Sequence, residues 1–508
     1  MSKFFNSKEL EEYSSKIVDM INNFHKGYRD IEVYPKNFPP GTLRNLIPSE
    51  PPQNEGSMDD IIKSTKEDIL PNLLKWQHPR FFGYFQAVSS HPAVLSQIVS
   101  SAVNVVSFQW NSAPASTELE CIICDWVVKM LKLPEKFLLS NSGGGALIHS
   151  VGEGLFLAVQ YAKYRKQKEL KIFNDPRVFK FVAYISEYSF FVYRKVFHLK
   201  EVYHFRKIPV IYCKDTKSIS LDMEFLKEQV KKDIAEGLIP FFYGGTIGST
   251  CCNIDDPVEK ISEFCKENNM LYAVDTAYSS TYFVIPEIRK RYHFEGVNVI
   301  LTNLSKAGLV GGASAQIFVD DKKLYVESIT GESTDNMIDY PMYLRNENSS
   351  NPSVVDYNSW QVGFGRRFES LKIYYVMKKF GISGYQEYIS QIIKLSDYAV
   401  KKIQSIPHFD ILVHKKYSLI TFRIKHYPDN TPFENLEKQN ELILKIVDEV
   451  NKNGFLFFSK GVILNMSFFR FNIGGYETTF KDIDDSIETI EKFYKIVCQK
   501  EKNMNAKF

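Results

Sequence analysis

The middle of the chain alternates short, almost wholly apolar runs with helical segments, and that alternation leaves few folds open. "LIPFFYGG" (238–245), "MLYAVD" (270–275) and "VNVIL" (297–301) are separated by stretches with helical spacing. A strand apolar on both faces must be covered on both faces, and a strand returning parallel needs a crossover, usually a helix. The pattern predicts an α/β domain with a mostly parallel central sheet and helices on either side. Leu221 to Ala235 reads as one crossover helix, stopped by Gly237, and Asp256 is expected to cap the next, with Pro257 at its first position.

In an open parallel sheet, ligands collect beyond the carboxyl ends of the strands. Three polar residues stand at such ends: Thr246, Asp275, and Lys306, which follows Asn303 after a short break. An isolated lysine is most often an exposed turn residue. One placed just beyond a buried strand also suits a Schiff base to a carbonyl cofactor. Asp275 could be a surface cap, but it follows a run of mostly apolar residues, where a carboxylate needs a cationic or hydrogen-bonding partner. Near residue 150, "LLSNSGGGALIHSVGEGLFLAVQYAKY" puts Ser150 at a helix start, where backbone N–H groups and the helix dipole suit a phosphate. Three glycines alone mark only a turn. Taken together these parts describe a pyridoxal phosphate site: Lys306 holds the cofactor, Asp275 keeps its ring nitrogen protonated, and the helix start holds its phosphate.

The flanks are different. Leu10, Tyr13, Ile17, Ile21 and Phe24 have the three-to-four spacing of an amphipathic helix over 6–27, with Asn6 and Glu9 as its capping box. The Pro-rich "EVYPKNFPPGTLRNLIPSEPPQ" reads as extended, and helical spacing resumes from about 58 to 75. Such an arm holds too little core to stand alone and is expected to wrap around a second subunit. From about Trp360, "GRRFESLKIYYVMKKFG" opens a long helix and a smaller α+β region follows. The expected division is an N-terminal arm (1–90), a large cofactor-binding α/β domain (91–370) and a small C-terminal α+β domain (371–508).

At 508 residues and 44% hydrophobic, the chain can bury cores of that size. A formal net charge of +3 makes no electrostatic case for nucleic acid or anionic membranes. No 18-residue apolar run occurs, and "MSKFFNSKELEEY" lacks an apolar signal core, so a cytoplasmic location with reduced cysteines is expected. Cys121 and Cys124 form a C-x-x-C inside "LECIICDWVVKMLKLP", an apolar helical stripe with no second ligand pair nearby. They read as core thiols, and no metal site is expected.

Beyond these features the sequence resembles the group II pyridoxal-phosphate decarboxylases, nearest to the aromatic L-amino-acid type. The stretches that carry the likeness are "VYP…PPGTLRNLIP", "HPRFFGYF", "WNSAPASTELE", "GLIPFFYGGTIGSTCC", "VDTAYSSTYFVIPE", "YPMYL" and "WQVGFGRRFESLK", in family order along nearly the whole chain. The resemblance implies a fold-type-I homodimer with active sites at the subunit interface, pyridoxal 5'-phosphate as cofactor, and an amino-acid substrate. It implies Lys306 as the Schiff-base lysine, Asp275 as the partner of the ring nitrogen, and Ala277 beneath the ring. Thr246 and Asn303 would lie near the cofactor, with Ser150, Val151 and Gly152 on the phosphate loop. Tyr84, Gln86 and Ala87 would line the substrate pocket, joined by Phe108 from the neighbouring subunit. Tyr343, in "YPMYL", matches the loop tyrosine that reprotonates the substrate carbon.

Four positions depart from the family pattern. Phe190 stands where a histidine stacks on the cofactor ring, Ser305 replaces the histidine before the lysine, Ala87 replaces a threonine that meets the substrate carboxylate, and Gly152 replaces a phosphate-loop serine. Phenylalanine can stack but cannot move a proton. In the family, loss of the loop tyrosine or of the stacking histidine goes with an aldehyde product, formed with ammonia and peroxide. This chain keeps the first determinant and lacks the second. Amine formation from an aromatic amino acid is the first expectation; an aldehyde synthase and a paralogue without activity remain open.

Overall fold

The computed structural model describes residues 4–36, 38–331, 342–344, 348 and 354–505. They form two compact units, 87–394 with 412–420, and 1–86 with 395–411 and 421–508. The larger unit carries a seven-stranded sheet of β1 (Gly144–Ile148), β2 (Phe181–Ser186), β3 (His204–Ile208), β4 (Ile239–Thr246), β5 (Leu271–Asp275), β6 (Val299–Asn303) and β7 (Ala315–Val319). Their spatial order is β1-β7-β6-β5-β4-β2-β3. The five strands from β6 to β3 run parallel. β7 runs antiparallel to both β6 and β1, so the sheet is mostly parallel, as expected. The reversal has a local cause: β6 and β7 are joined by a short loop rather than a helical crossover.

Every residue of β1, β2, β5 and β7 is buried, which explains why these segments read as unbroken apolar runs. One face is covered by the helix Val151–Leu170, whose Leu155, Ala158, Tyr161 and Ala162 share a core with Ala183, Phe242, Ala273 and Leu301. Gly154 sets the depth of that contact. A Cβ there would lie 2.5 Å from Leu301 Cδ2 and 2.6 Å from Ile148 Cδ1, so only glycine lets the helix lie this close.

The smaller unit departs from the three-part division expected. Its five-stranded sheet has the order Phe81–Phe82, Phe457–Ile463, Met466–Asn472, Leu419–Ile424, Phe409–Val413. Phe81 and Phe82 pair in parallel with Phe457 and Phe458, and the Phe82 ring stacks on Phe471 at 4.0 Å. Val33 N–H donates to the Gly454 carbonyl, and Arg29 pairs with Asp482 at 2.7 Å. Much of the arm is therefore fastened to the C-terminal sheet of its own chain, because extended segments supply the backbone groups an edge strand needs. Its first helix, Ser7–Lys26, buries none of its residues. The C-terminal boundary falls at Leu395, inside the helix Ser370–Ser405, rather than near the start of that helix.

Local capping also differs in two places. Asn6 accepts from Lys8 N–H, and its own amide donates to Glu9, so the expected capping box closes side chain to side chain. The second difference is larger. The helix Val258–Glu267 has no side-chain cap; Asp256 turns inward, accepting Thr246 N–H at 2.9 Å while its own N–H donates to the Thr246 carbonyl. The buried Asp256 carboxyl has its pKa pushed up to about 7, mainly by desolvation and further by neighbouring Asp255.

Because unfolding returns Asp256 to an ordinary value of 3.8, the folded protein holds an extra proton between about pH 4 and 7. Its contribution to stability is therefore lost as pH rises through that window. Asp256→Asn keeps an oxygen for Thr246 N–H but carries no titrating proton. Urea midpoints should show the variant gaining on wild type between pH 5 and pH 8; a pH-independent difference would remove this account.

Candidate active site

Register brings the predicted residues together before any side chain is considered. Thr246 pairs with Asp275 at the carboxyl ends of β4 and β5, and Asp275 with Leu301 on β6. Beyond β6 the chain turns sharply. Asn303 accepts Ser305 N–H on its side chain at 3.0 Å, and its carbonyl accepts Lys306 N–H at 3.2 Å. Ala87 forms an antiparallel bridge with Lys306, and Thr281 Oγ1 donates to the Lys306 carbonyl at 3.1 Å. Lys306 is half-buried and clamped from two sides. The backbone after it is strained: Ala307, Leu309 and Ala313 all have positive φ, at 58°, 61° and 55°. Such conformations cost about 1–2 kcal/mol each outside glycine and persist where surrounding structure imposes them.

Asp275 is buried, and one carboxylate oxygen accepts Ala277 N–H at 2.8 Å. Burial pushes its pKa above the ordinary carboxylate value, while the charge of nearby Lys306 and the Ala277 N–H pull it back. The carboxylate and the lysine therefore feel each other across the strand ends. Thr246 is also buried, and its Oγ1 has no hydrogen-bond partner among the described residues.

Ser150 caps the helix Val151–Leu170, its hydroxyl accepting Glu153 N–H at 3.3 Å, as its place in the sequence suggested. Val151 is buried, and a Cβ on Gly152 would lie 3.3 Å from Val192 Cγ1. The helix start thus meets the segment that carries Phe190. Phe190, Val151 and Ala277 belong to one apolar cluster, and the Phe190 ring stands edge-on to Phe191 at 4.9 Å.

Phe108 and Tyr343 form a second group. Gln109 donates through Nε2 to the Leu344 carbonyl, so the two aromatic residues flank one hydrogen bond. Phe108 packs against Phe364 at 5.7 Å, and Tyr343 is 83% exposed in the turn Met342–Leu344. The rest of "YPMYL" before Met342 lies outside the described residues. Tyr84 and Gln86 fall in the smaller unit. Tyr84 stacks on Trp76 at 5.5 Å, and the buried Gln86 donates to the Trp76 carbonyl.

Sequence reasoning missed several supporting residues. Ser305, counted above as a departure, has a structural use: its Oγ accepts Ser314 N–H at 3.2 Å and ties the two ends of the lysine loop. Arg366, inside "GRRFESLK", pairs with buried Glu120, which also accepts Leu147 N–H and steadies the strand leading to Ser150. Thr281 likewise acts through Lys306, twenty-five residues on, which no local spacing reveals. The C-x-x-C thiols sit on the helix Pro114–Met130, where burial pushes Cys121 up to about 11.

Comparison with known proteins agrees with this geometry. Residues 40–425 match the pyridoxal-dependent decarboxylase conserved domain. The chain is 31% identical to tyrosine decarboxylase 2 of Narcissus pseudonarcissus, over 93% of this chain and 91% of that one. It is 30% identical to phenylacetaldehyde synthase of Arabidopsis thaliana, over 96% of each. The crystal structure of Catharanthus roseus tryptophan decarboxylase in complex with L-tryptophan superposes with a TM-score of 0.88 at 28% identity, covering 98% of this chain and 100% of that one. With lysine, aspartate and helix start gathered at the ends of a parallel sheet, and a match over most of its length, the chain belongs to the pyridoxal-dependent decarboxylases of fold type I, whose cofactor is pyridoxal 5'-phosphate.

Proposed function

We propose that the protein decarboxylates an aromatic L-amino acid to its amine and carbon dioxide, with Lys306 as the cofactor lysine and Asp275 as the partner of the ring nitrogen. The observation that carries this reading is the buried Asp275 carboxylate coupled to Lys306 at the ends of adjacent strands. The residues fit pyridoxal phosphate in kind. A cationic ring nitrogen would add to the charge of Lys306 beside buried Asp275, Ala277 and Phe190 would offer apolar surface to the ring, and the helix start at Ser150, Val151 and Gly152 would offer N–H groups to a phosphate. Thr246, with its unpartnered Oγ1, and Asn303 stand beside that set. When bound, the cofactor accepts the electron pair left behind as carbon dioxide departs. The aromatic class of substrate is supported by relatives named for tyrosine and tryptophan.

Tyr343 is the proton donor to the substrate carbon in this reading, its phenol exposed in the turn Met342–Leu344. Phe190 favours a second reading: it has no proton to give, and aldehyde synthases are among the relatives. In that case dioxygen takes the electron pair at the substrate carbon in place of a proton, water hydrolyses the resulting imine, and aldehyde, ammonia and hydrogen peroxide leave with the carbon dioxide.

The deciding measurement follows carbon dioxide, amine, aldehyde and peroxide together over a panel of amino acids. Amine should dominate in wild type. Tyr343→Phe should lower it by about a hundredfold or more, the usual contribution of a positioned acid, and raise aldehyde with peroxide. Lys306→Ala should abolish every product. Stoichiometric peroxide from wild type, unchanged by Tyr343→Phe, would sink the amine reading.

The same proposal includes a homodimer, in which Phe108 of one copy serves the site of the other. Support comes from apolar surface left uncovered: the helix Ser7–Lys26 exposes Leu10 and Val18, and the helix His91–Val103 exposes Leu95, Ile98 and Val103. Deleting residues 1–26 spares the Arg29–Asp482 pair and should shift sedimentation equilibrium toward monomer. A truncated protein as dimeric as the full chain would place the contact elsewhere.

A further inference from the structure

Tyr193 lies on the helix Val192–Leu199, one turn beyond Phe190, whose carbonyl accepts its N–H at 3.1 Å. The side chain is wholly buried, yet its hydroxyl has no hydrogen-bond partner among the described residues. Phenylalanine would fill the same volume without that penalty, so the hydroxyl calls for a use. Its surroundings suggest one. Gly244 on β4 makes room for the ring: a Cβ there would stand 2.5 Å from Tyr193 Cε1 and 2.7 Å from its Oη. Gly244 pairs with Ala273, and two residues on Thr246 pairs with Asp275. Side chains alternate along a strand, so the surface above Gly244 and the side chains of Thr246 and Asp275 share one face of the sheet. The hydroxyl therefore sits on the face that carries the Asp275 carboxylate.

We infer that Tyr193 is a positioning residue whose hydroxyl donates to the Asp275 carboxylate in the cofactor-loaded protein, holding it ionised and aimed at the ring nitrogen. The inference rests on the proposed assignment of Asp275 as partner of that nitrogen. The electrostatics agree: after burial, Asp275 is the charge that raises the Tyr193 pKa most, with Asp256 second. The other groups facing this pair are Lys306, which stabilises ionised Asp275, and the buried phenols Tyr243 and Tyr272, which face Asp256. A donor to an ionised carboxylate lowers its pKa, so losing the donor raises it.

The test compares Tyr193→Phe and Asp275→Asn with wild type, reading the cofactor dissociation constant by absorbance titration from pH 5.5 to 8.5, and urea stability without added cofactor. Tyr193→Phe should weaken cofactor binding by about tenfold at pH 6, as expected for one bond to a charged group, and less at pH 8. The pH below which the cofactor is lost should move upward. Without cofactor the variant should be as stable as wild type or more so, because an unsatisfied hydroxyl has gone. Asp275→Asn should weaken binding across the whole range. Wild-type affinity and midpoint in Tyr193→Phe, beside a damaged Asp275→Asn, would overturn the inference alone. Lower stability without cofactor, with a uniform loss of affinity, would overturn it by making the hydroxyl merely structural. An Asp275→Asn variant that binds normally would overturn the assignment of Asp275, and this inference with it.

Discussion

A carboxylate sealed at the end of an apolar strand is expensive unless a positive charge and hydrogen-bond donors meet it. Asp275 is such a group, and much of the larger unit serves to supply those partners. The Ala277 N–H is fixed by the chain itself, two residues beyond the end of β5. The positive charge comes from Lys306, which a bridge to Ala87, a bond from Thr281 and the Ser305–Ser314 tie hold beside the strand end. Three non-glycine residues in left-handed conformation follow Lys306, and that strain persists only because the strands on either side of the loop are packed and paired.

Two buried aspartates lie near each other in this unit and are treated differently. Asp256 receives one backbone N–H and stands beside another carboxylate, so its environment favours the protonated form. Asp275 also receives one backbone N–H and is likewise pushed up by burial, but the largest influence opposing that rise is the charge of Lys306. The sheet register separates them: Asp275 ends β5, whereas Asp256 folds back against the end of β4 and steadies Thr246 from behind.

The two aromatic positions on which the proposed product choice turns have different surroundings. Phe190 brings an apolar face where a titratable ring would be able to exchange a proton, and it packs in the same cluster as Ala277 and Val151. Tyr343 keeps a phenol but sits in an exposed turn, tied through Leu344 to Gln109. Product choice in such a site is a race between a proton and oxygen at one substrate carbon.

The amino-acid sequence by itself determined the layered α/β architecture, because unbroken apolar strands spaced by helices have few other ways to cover both faces. It also determined where Thr246, Asp275, Lys306 and Ser150 would gather, since strand ends and helix starts can be read from local pattern. It did not reveal that Asp256 abandons its helix cap, because a cap is a local preference and the bond to Thr246 forms only when the connection after β4 folds back on the strand end. It did not reveal that the arm fastens through Arg29, Val33, Phe81 and Phe82 to the C-terminal part of its own chain, because the pairing of Phe81 with Phe457 spans most of the sequence. Nor could it place the Tyr193 hydroxyl over Gly244 on the face of Asp275. That juxtaposition arises only when a helix after β2 is laid against β4, and such distances are set by packing, not by spacing along the chain.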